Sequence, residues 1–386
     1  MSEPNRVLPS RLIQLVARFR PDIDGVGEAA LNLASALLQH YGIGSDILVY
    51  LPPRPAPELA IPDALPFTVE RLNGANPATV DRAIAHAAEA ESGRPTLLLH
   101  YVSYGYSLHG TPFWLASAME RFVRRGGRLI TVFHELYALP RFPSRTFLTS
   151  RIQRAVFRRL LAASHAAFTS SEDFIAMAER DNAKHRPIGL IGICSNAGEP
   201  VNPRPLLKRA RRLAVFGRFA TRQQLYAQHA AELKQIAGHL GINEIADIGP
   251  VDDPDWFKAN VAGPLGSLIR SYGTLPVPEA SRLLEDSILG ALSYSYALRG
   301  KSGVFAAYQA HAAAILLFPE EDNRGAPEPG GWTLTVSDLL ALPAKSGGER
   351  LQWAASAAYE HYRVHRSARA MAQAVIPALE RNASAS

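Results

Sequence analysis

The chain has 386 residues, with 41 lysines and arginines against 35 aspartates and glutamates, a formal charge of +6 with neutral histidines. That length suggests two or three domains, each able to bury a core without staples, and 47% hydrophobic against 20% charged residues excludes a disordered chain. The one cysteine, Cys194, excludes an intramolecular disulfide framework and any multi-cysteine metal or iron–sulfur site, and suits a reducing cytoplasm.

The apolar stretch after Arg11 is broken by Arg18 and Arg20, so no signal-peptide core is expected. Leu12 to Ala17 predicts a strand, Asp22 to Gly27 a polar, glycine-bearing turn, and Leu31, Ala34 and Leu38 a helix that Gly42 closes. Strands at Ile47–Leu51, Thr96–Tyr101, Arg128–Phe133 and Ala166–Thr169 alternate with helices at Thr79–Ala90 and Phe113–Arg125, and with one capped by Ser170 or Ser171. Between Asn182 and Arg212 the periodicity weakens and prolines cluster, which reads as an interdomain connection. The alternation then restarts: Leu213–Phe216, a helix over Gln223–Leu240, Ile245–Ile248, a helix over Glu279–Glu285, Ile288–Tyr294, a helix over Gly303–His311, and Ala314–Phe318. The longest purely apolar run, Ala312 to Phe318, is far below the roughly 18 to 20 residues of a spanning helix.

Two successive α/β domains follow, each a doubly wound parallel sheet of Rossmann type with its ligand at the carboxyl ends of the strands, facing a cleft. The expected divisions are 1–195, a linker at 196–212, 213–348, and a helical tail at 349–386 that carries Trp353, Ala357 and His361 on one stripe and packs back across both domains.

Four segments carry candidate chemistry. Gly25-Val26-Gly27 lets backbone approach a ligand at a helix start, or is simply a tight turn. His134 and Glu135 stand just past a central strand, where a histidine can orient or deprotonate a hydroxyl or merely hold a strand end; Tyr101, Tyr104 and His109 follow a neighbouring strand. Gly217, Arg218 and Arg222 follow the first strand of the second domain, where arginine forks suit a pyrophosphate, the alternative being solvated surface arginines. Lys301, Ser302 and Gly303 open a helix and combine a cation, a cap and a bare turn into an anion site. No Walker loop is present, so nucleoside triphosphate hydrolysis has little support.

This ordered set resembles the GT-B glycosyltransferases, and within them the retaining family-four branch. The resemblance lies in Gly25-Val26-Gly27 with the helix after it, in Phe133-His134-Glu135-Leu136-Tyr137, Thr169-Ser170-Ser171, Phe216-Gly217-Arg218 and Tyr272-Gly273-Thr274-Leu275, and in the approach to the phosphate-binding helix. It implies a nucleotide-sugar donor with its diphosphate against Gly25, Gly27, Arg218, Arg222, Lys301, Ser302 and Gly303, and no metal or other cofactor. It further implies His134 and Glu135 at the reacting sugar, and a glycan or lipid-linked acceptor on the first domain near Tyr101, Tyr104 and His109. The family's two glutamates, with seven residues between them, are replaced by Gly300 and Tyr308, which leaves Tyr308 at the nucleoside position. A catalytically degenerate GT-B binding partner in a glycan-assembly complex and a nucleotide-sugar epimerase are the alternative readings.

The surplus charge is local. Residues 118 to 160 hold ten arginines against Glu120 and Glu135, and residues 201 to 212 add five basic residues with no acidic one. In Phe147 to Leu161 the arginines Arg151, Arg154, Arg158 and Arg159 alternate with apolar residues, as on a helix resting on anionic lipid at the inner face of a membrane or on one packed against a core. No zinc finger, RNP motif or aromatic-interleaved basic strand supports a nucleic-acid partner.

Overall fold

The computed structural model describes residues 6–17, 25–51, 66–72, 76–89, 94–138, 145–319, 331–344 and 348–382. The expected turn at Asp22–Asp24 lies outside them. The chain divides into two compact units, Met1–Gly192 with Ala368–Ser386, and Ile193–Ser367.

The first unit begins with β1 (Arg6–Val7) and builds a seven-stranded sheet from β2 (Arg11–Ala17), β3 (Gly44–Tyr50), β4 (Thr68–Leu72), β5 (Thr96–Tyr101), β6 (Arg128–Phe133), β7 (Ala166–Thr169) and β8 (Ile188–Leu190). Their spatial order is β4-β3-β2-β5-β6-β7-β8, and every neighbouring pair is parallel. The central strands are covered on both faces, which is why Leu12–Ala17 and Thr96–Tyr101 are buried at every residue and why their sequences are near-continuous apolar runs. Edge strands β4 and β8 are half exposed, and short, mixed sequences of that kind carry no strand signal of their own.

The second unit repeats the plan with β9 (Ala210–Phe216), β10 (Glu244–Ile248), β11 (Ile269–Gly273), β12 (Ser287–Ser293), β13 (Ala314–Phe318) and β14 (Thr333–Leu334), all parallel, in the order β11-β10-β9-β12-β13-β14. In each sheet the strand order reverses beside its earliest central strand, between β2 and β5 and between β9 and β12. Ligands of doubly wound sheets collect at such reversals, outside the carboxyl ends of the strands.

The helical tail divides. The Gly348–His365 helix belongs to the second unit, where Leu351, Ala354, Ala355 and Ala358 join its core and the Tyr362 hydroxyl accepts from Ser195 N–H at 2.8 Å. The buried stripe is therefore one step away from Trp353, which is 48% exposed; alanines at this face let the helix approach its neighbours closely. Arg366 and Ser367 amides both donate to the Tyr362 carbonyl and end the helix. The Ala368–Leu379 helix belongs to the first unit and packs on the Gly25–Tyr41 helix, after which β15 (Arg381–Asn382) pairs antiparallel with β1.

Local signals agree with these elements. Gly42 caps the first helix with φ +68°, Ser171 Oγ accepts from Phe174 N–H at 3.2 Å, and Thr335 with Asp338 forms a reciprocal capping box. Ala312, just before β13, takes the left-handed conformation with φ +47°.

Tyr308 lies flat on β12, and a Cβ added to Gly290 would sit 2.4 Å from its ring. Gly290→Ala should therefore destabilise the protein by about 1–3 kcal/mol through overpacking, read as a lower urea midpoint. Gly238, an exposed helix residue with nothing near a new Cβ, provides the control: Gly238→Ala should raise stability by up to about 1 kcal/mol.

Candidate functional site

In the second unit the site is built on turns that only glycine can make. Gly217 follows β9 with φ +129° and Gly249 follows β10 with φ +145°. A Cβ on Gly249 would lie 2.2 Å from the Gly217 carbonyl oxygen, so the two turns touch backbone to backbone. Gly217 N–H donates to Ile248 O at 3.1 Å and Gly249 N–H to Gly273 O at 2.8 Å, which ties the ends of β9, β10 and β11 into one rim.

Arg222 lies beneath that rim and is 2% exposed. Its Nε donates to Gly217 O at 2.9 Å, its Nη2 to Pro250 O, and its Nη1 pairs with the Asp247 carboxylate. Asp247 is fully buried and also accepts from the Tyr226 and Ser271 hydroxyls at 3.0 and 3.2 Å. Where Arg222 was expected to grip a diphosphate, converging carbonyls and a buried carboxylate engage all three of its nitrogens, and the residue also forms part of the wall of the pocket beside Ser302. Arg218, the residue before the Phe219–Leu240 helix, is exposed.

The Gly303–Ala310 helix starts beside the same reversal point. Ser302, 7% exposed, caps it by accepting from Phe305 N–H at 3.1 Å, and Lys301 is half-buried. Gly303 keeps the approach narrow, since a Cβ there would meet Asn196 Cγ at 3.3 Å. A small pocket of about 40 Å³ opens here, lined among others by Phe216, Thr221, Ser293, Tyr294, Ser302 and Val304, with room for a phosphate-sized group. Asn196 Oδ1, Ser293 Oγ and Ser295 Oγ are buried without a hydrogen-bond partner among the described residues. An unpaired buried hydroxyl such as that of Ser293, lining one pocket with a helix N-terminus, can donate to a polar, anionic ligand.

Arg366, which sequence reasoning missed, holds this region from the tail. It is 4% exposed, donates to Gln309 Oε1 at 2.9 Å and to Arg299 O at 3.1 Å, and also reaches Gly300 O, fixing the turn that leads into Lys301 and Ser302. Nothing local in its sequence marks a surface-prone arginine as buried. Tyr308 requires a second correction. It is fully buried; its hydroxyl accepts from Phe216 N–H at 3.0 Å and lies 3.1 Å from the Ala214 and Ala291 carbonyl oxygens. Burial pushes its phenol pKa up. It is a core residue filling the space above Gly290, out of reach of a nucleoside.

In the first unit, Gly25 and Gly27 are the opening residues of the Gly25–Tyr41 helix rather than a loop before it, Gly25 exposed and Gly27 buried. His134 follows β6, is 8% exposed, and its N–H donates to Tyr101 O at 3.1 Å. Its Nε2 lies 3.1 Å from His100 Nδ1, and His100 Nε2 lies 2.9 Å from Gln14 Oε1. His100 and Gln14 are the residues that strand-end reasoning passed over, because their polar side chains sit inside apolar strands. Burial lowers the His134 pKa to about 4; burial, then the neighbouring His134, lowers that of His100. Glu135 is exposed.

Tyr101 is fully buried, and its hydroxyl, with those of Thr169 and Ser170, has no partner among the described residues. Burial, and then the Glu135 charge, raise its pKa. Tyr104 and His109 are exposed in the segment after β5. The structure thus gathers His134 and Tyr101 at one strand edge of the first unit, and Lys301, Ser302 and Gly303 at the matching edge of the second.

The arginine-rich segment forms the Arg145–Ala163 helix, and its charge is largely paired: Arg154 and Arg158 bind Asp181 at 2.7 and 2.6 Å, and Arg159 binds Glu120 at 2.8 Å. Among the described residues, no helix is long and apolar enough to cross a membrane, and no group of three or more His, Cys, Asp or Glu residues is placed to hold a metal.

Two measurements follow. Arg222→Ala leaves Asp247 buried and unpaired and should cost about 3–5 kcal/mol of stability, whereas exposed Arg218→Ala should stay within about 0.5 kcal/mol; urea unfolding compares them. His134, with a folded pKa near 4, refuses a proton that the unfolded chain accepts below about 6.5. Its contribution is therefore present above that pH and lost as pH falls toward 4. Stability should drop by about 2 kcal/mol between pH 7 and 5 on this account, and His134→Gln should remove that share of the slope.

No protein-family model matches the chain, and no curated protein matches it in sequence. Solved structures do match over nearly its whole length. A trehalose-6-phosphate protein from E. coli bound with UDP-2-fluoro glucose aligns with TM-score 0.59 and 12% identity, covering 96% of this chain and 98% of that one. Phytolacca americana UGT2, complexed with UDP-2-fluoro-glucose and pterostilbene, aligns with TM-score 0.56 and 10% identity, covering 96% and 99%. A Listeria monocytogenes structure named for UDP-N-acetylglucosamine 2-epimerase aligns with TM-score 0.51 and 15% identity, covering 95% and 91%. Element order, the two parallel sheets and these whole-length matches lead to one conclusion: the chain has the GT-B fold.

Proposed function

We propose that the protein is a glycosyltransferase that moves a sugar from a nucleotide-diphosphate sugar to a hydroxyl of a glycan or lipid-linked acceptor, with retention at the anomeric carbon and without a metal. The observation that carries this reading is the second unit's helix N-terminus at Ser302-Gly303, set at the strand reversal in one pocket with the unpaired Ser293 hydroxyl. Two whole-length structural neighbours of the same fold hold UDP-2-fluoro-glucose.

The donor diphosphate would lie on the helix start, with Lys301 and Arg218 supplying positive charge. A helix N-terminus and fixed cations stabilise the charge that develops on a departing diphosphate, the task a metal performs elsewhere. Gly25 and Gly27, at the start of a helix in the first unit, would add amide donors. His134 would meet the reacting hydroxyl or transferred sugar, with Glu135 and Tyr101 beside it and Tyr104 and His109 on the acceptor. Tyr308 has no part in this scheme, since it is committed to the core, and Arg222 serves it by holding the rim at the pocket wall. The proposal stops short of an anionic membrane, because the helix arginines that suggested one are paired with Asp181 and Glu120.

A second reading has its own support. Neither Gly300 nor Tyr308 offers a carboxylate where the resembled family has its glutamate pair, which fits a protein that binds a nucleotide sugar without turning it over. The epimerase-named neighbour supports conversion of the donor alone. A panel of nucleotide sugars, assayed for released nucleoside diphosphate with and without acceptor hydroxyl compounds, separates the three. Acceptor-dependent release, lowered at least about tenfold by Lys301→Ala, is expected. Binding without release supports the degenerate protein, and acceptor-free isomerisation the epimerase. No binding to any member overturns all three.

A further inference from the structure

We propose that Gln14 and His100 fix the tautomer of His134, so that its Nδ1 presents a bare lone pair at the strand edge. Four polar side chains form a diagonal across one face of the first unit's sheet. Gln14 on β2 stands opposite Ile47 on β3 and Leu98 on β5, while His100 stands opposite Val132 on β6. Alternation then puts Ser45, Gln14, His100 and His134 on a common face. All are buried: Gln14 at 0%, Ser45 at 2%, His100 at 1% and His134 at 8% exposure. Polar side chains inside a parallel sheet are costly unless bonded, and these bond to each other.

The chain of bonds has a direction. Gln14 Nε2 donates to Ser45 Oγ at 3.0 Å, which turns the amide oxygen toward His100 Nε2 at 2.9 Å. An amide oxygen only accepts, so His100 carries its proton on Nε2. The two imidazoles lie 21° from coplanar with His100 Nδ1 3.1 Å from His134 Nε2. Among the described residues no carboxylate bonds to either ring, and a second proton on His100 would be a buried, unpaired charge. His100 Nδ1 is therefore a lone pair, and His134 must donate to it from Nε2. A neutral His134 then has no proton left for Nδ1, which has no partner among the described residues.

The consequence for chemistry rests on the proposed function: a bare Nδ1 can accept a proton or a hydrogen bond from a sugar or acceptor hydroxyl, while a protonated one could only donate. Gln14 and His100 are positioning residues in this scheme. They touch no substrate and act through His134.

Histidine-selective ¹⁵N labelling and a long-range ¹H–¹⁵N correlation spectrum at about pH 7 read the tautomer of each ring, with the His134 signals identified as those absent from His134→Gln. His134 and His100 should both be protonated on Nε2 and bare on Nδ1. A His134 ring protonated on Nδ1, or a mixture of tautomers, in the unmutated protein overturns the proposal. Gln14→Leu should turn His134 into a mixture, and a single Nε2-protonated form in that variant also overturns it. With any nucleotide sugar that the protein turns over, Gln14→Leu should lower kcat about tenfold or more at unchanged donor KM. The expected tautomer in a protein that turns over no nucleotide sugar would uphold this inference and defeat the proposed function instead.

Discussion

A wholly parallel sheet sends every strand out at the same edge, and both units of this protein are organised by that constraint. The amides and carbonyls that follow each strand must find partners there, because the sheet ladder has ended. In the second unit they find each other. Gly217 donates to the end of β10, Gly249 to the end of β11, and the carbonyls left over converge on Arg222. The guanidinium, neutralised by Asp247 below it, is the piece that lets three glycine turns pack together under cover. Once the rim is closed in this way, the helix start at Ser302 remains the open, polar place beside it.

The same edge in the first unit is handled through side chains. His134 N–H bonds the end of β5, and its ring is held by a polar diagonal that runs inward through His100 and Gln14 to Ser45. Inward-facing polar residues make this sheet specific: sliding a strand by one residue would strand each of them against apolar neighbours. The two units thus share a topology and differ in what occupies the carboxyl edge of the sheet, a histidine chain in one and a helix terminus with an unpaired hydroxyl beside it in the other.

Much of this was legible in the order of apolar runs and breakers. Thr96–Tyr101, Arg128–Phe133 and Ala314–Phe318 read as buried parallel strands because burial on both faces removes the alternation a half-exposed strand would show, and the caps at Gly42, Ser171 and Ser302 stand where their side chains or torsions are needed. The edge strands β4, β8, β11 and β14 were illegible, since a short strand with one unpaired side is defined by its neighbour more than by its own residues. Of the candidate site, Lys301, Ser302, Gly303 and His134 could be read, as each stands at a chain reversal with a chemistry of its own.

By itself, then, the sequence determined the doubly wound class, the two successive units and the strand edges at which polar residues gather, because periodicity and turn chemistry are local properties. Only tertiary structure decided which polar residues face a ligand and which face the core. Arg222 and Arg218 are four residues apart and alike in chemistry, yet one is enclosed by the Asp247 carboxylate and two loop carbonyls while the other is exposed. Tyr308 went inward because Gly290 left room for its ring, and Gln14 joined His100 because strands 86 residues apart in sequence lie side by side. Whether a charge or hydroxyl is buried is settled by what distant segments bring to it, and no spacing along the chain encodes that.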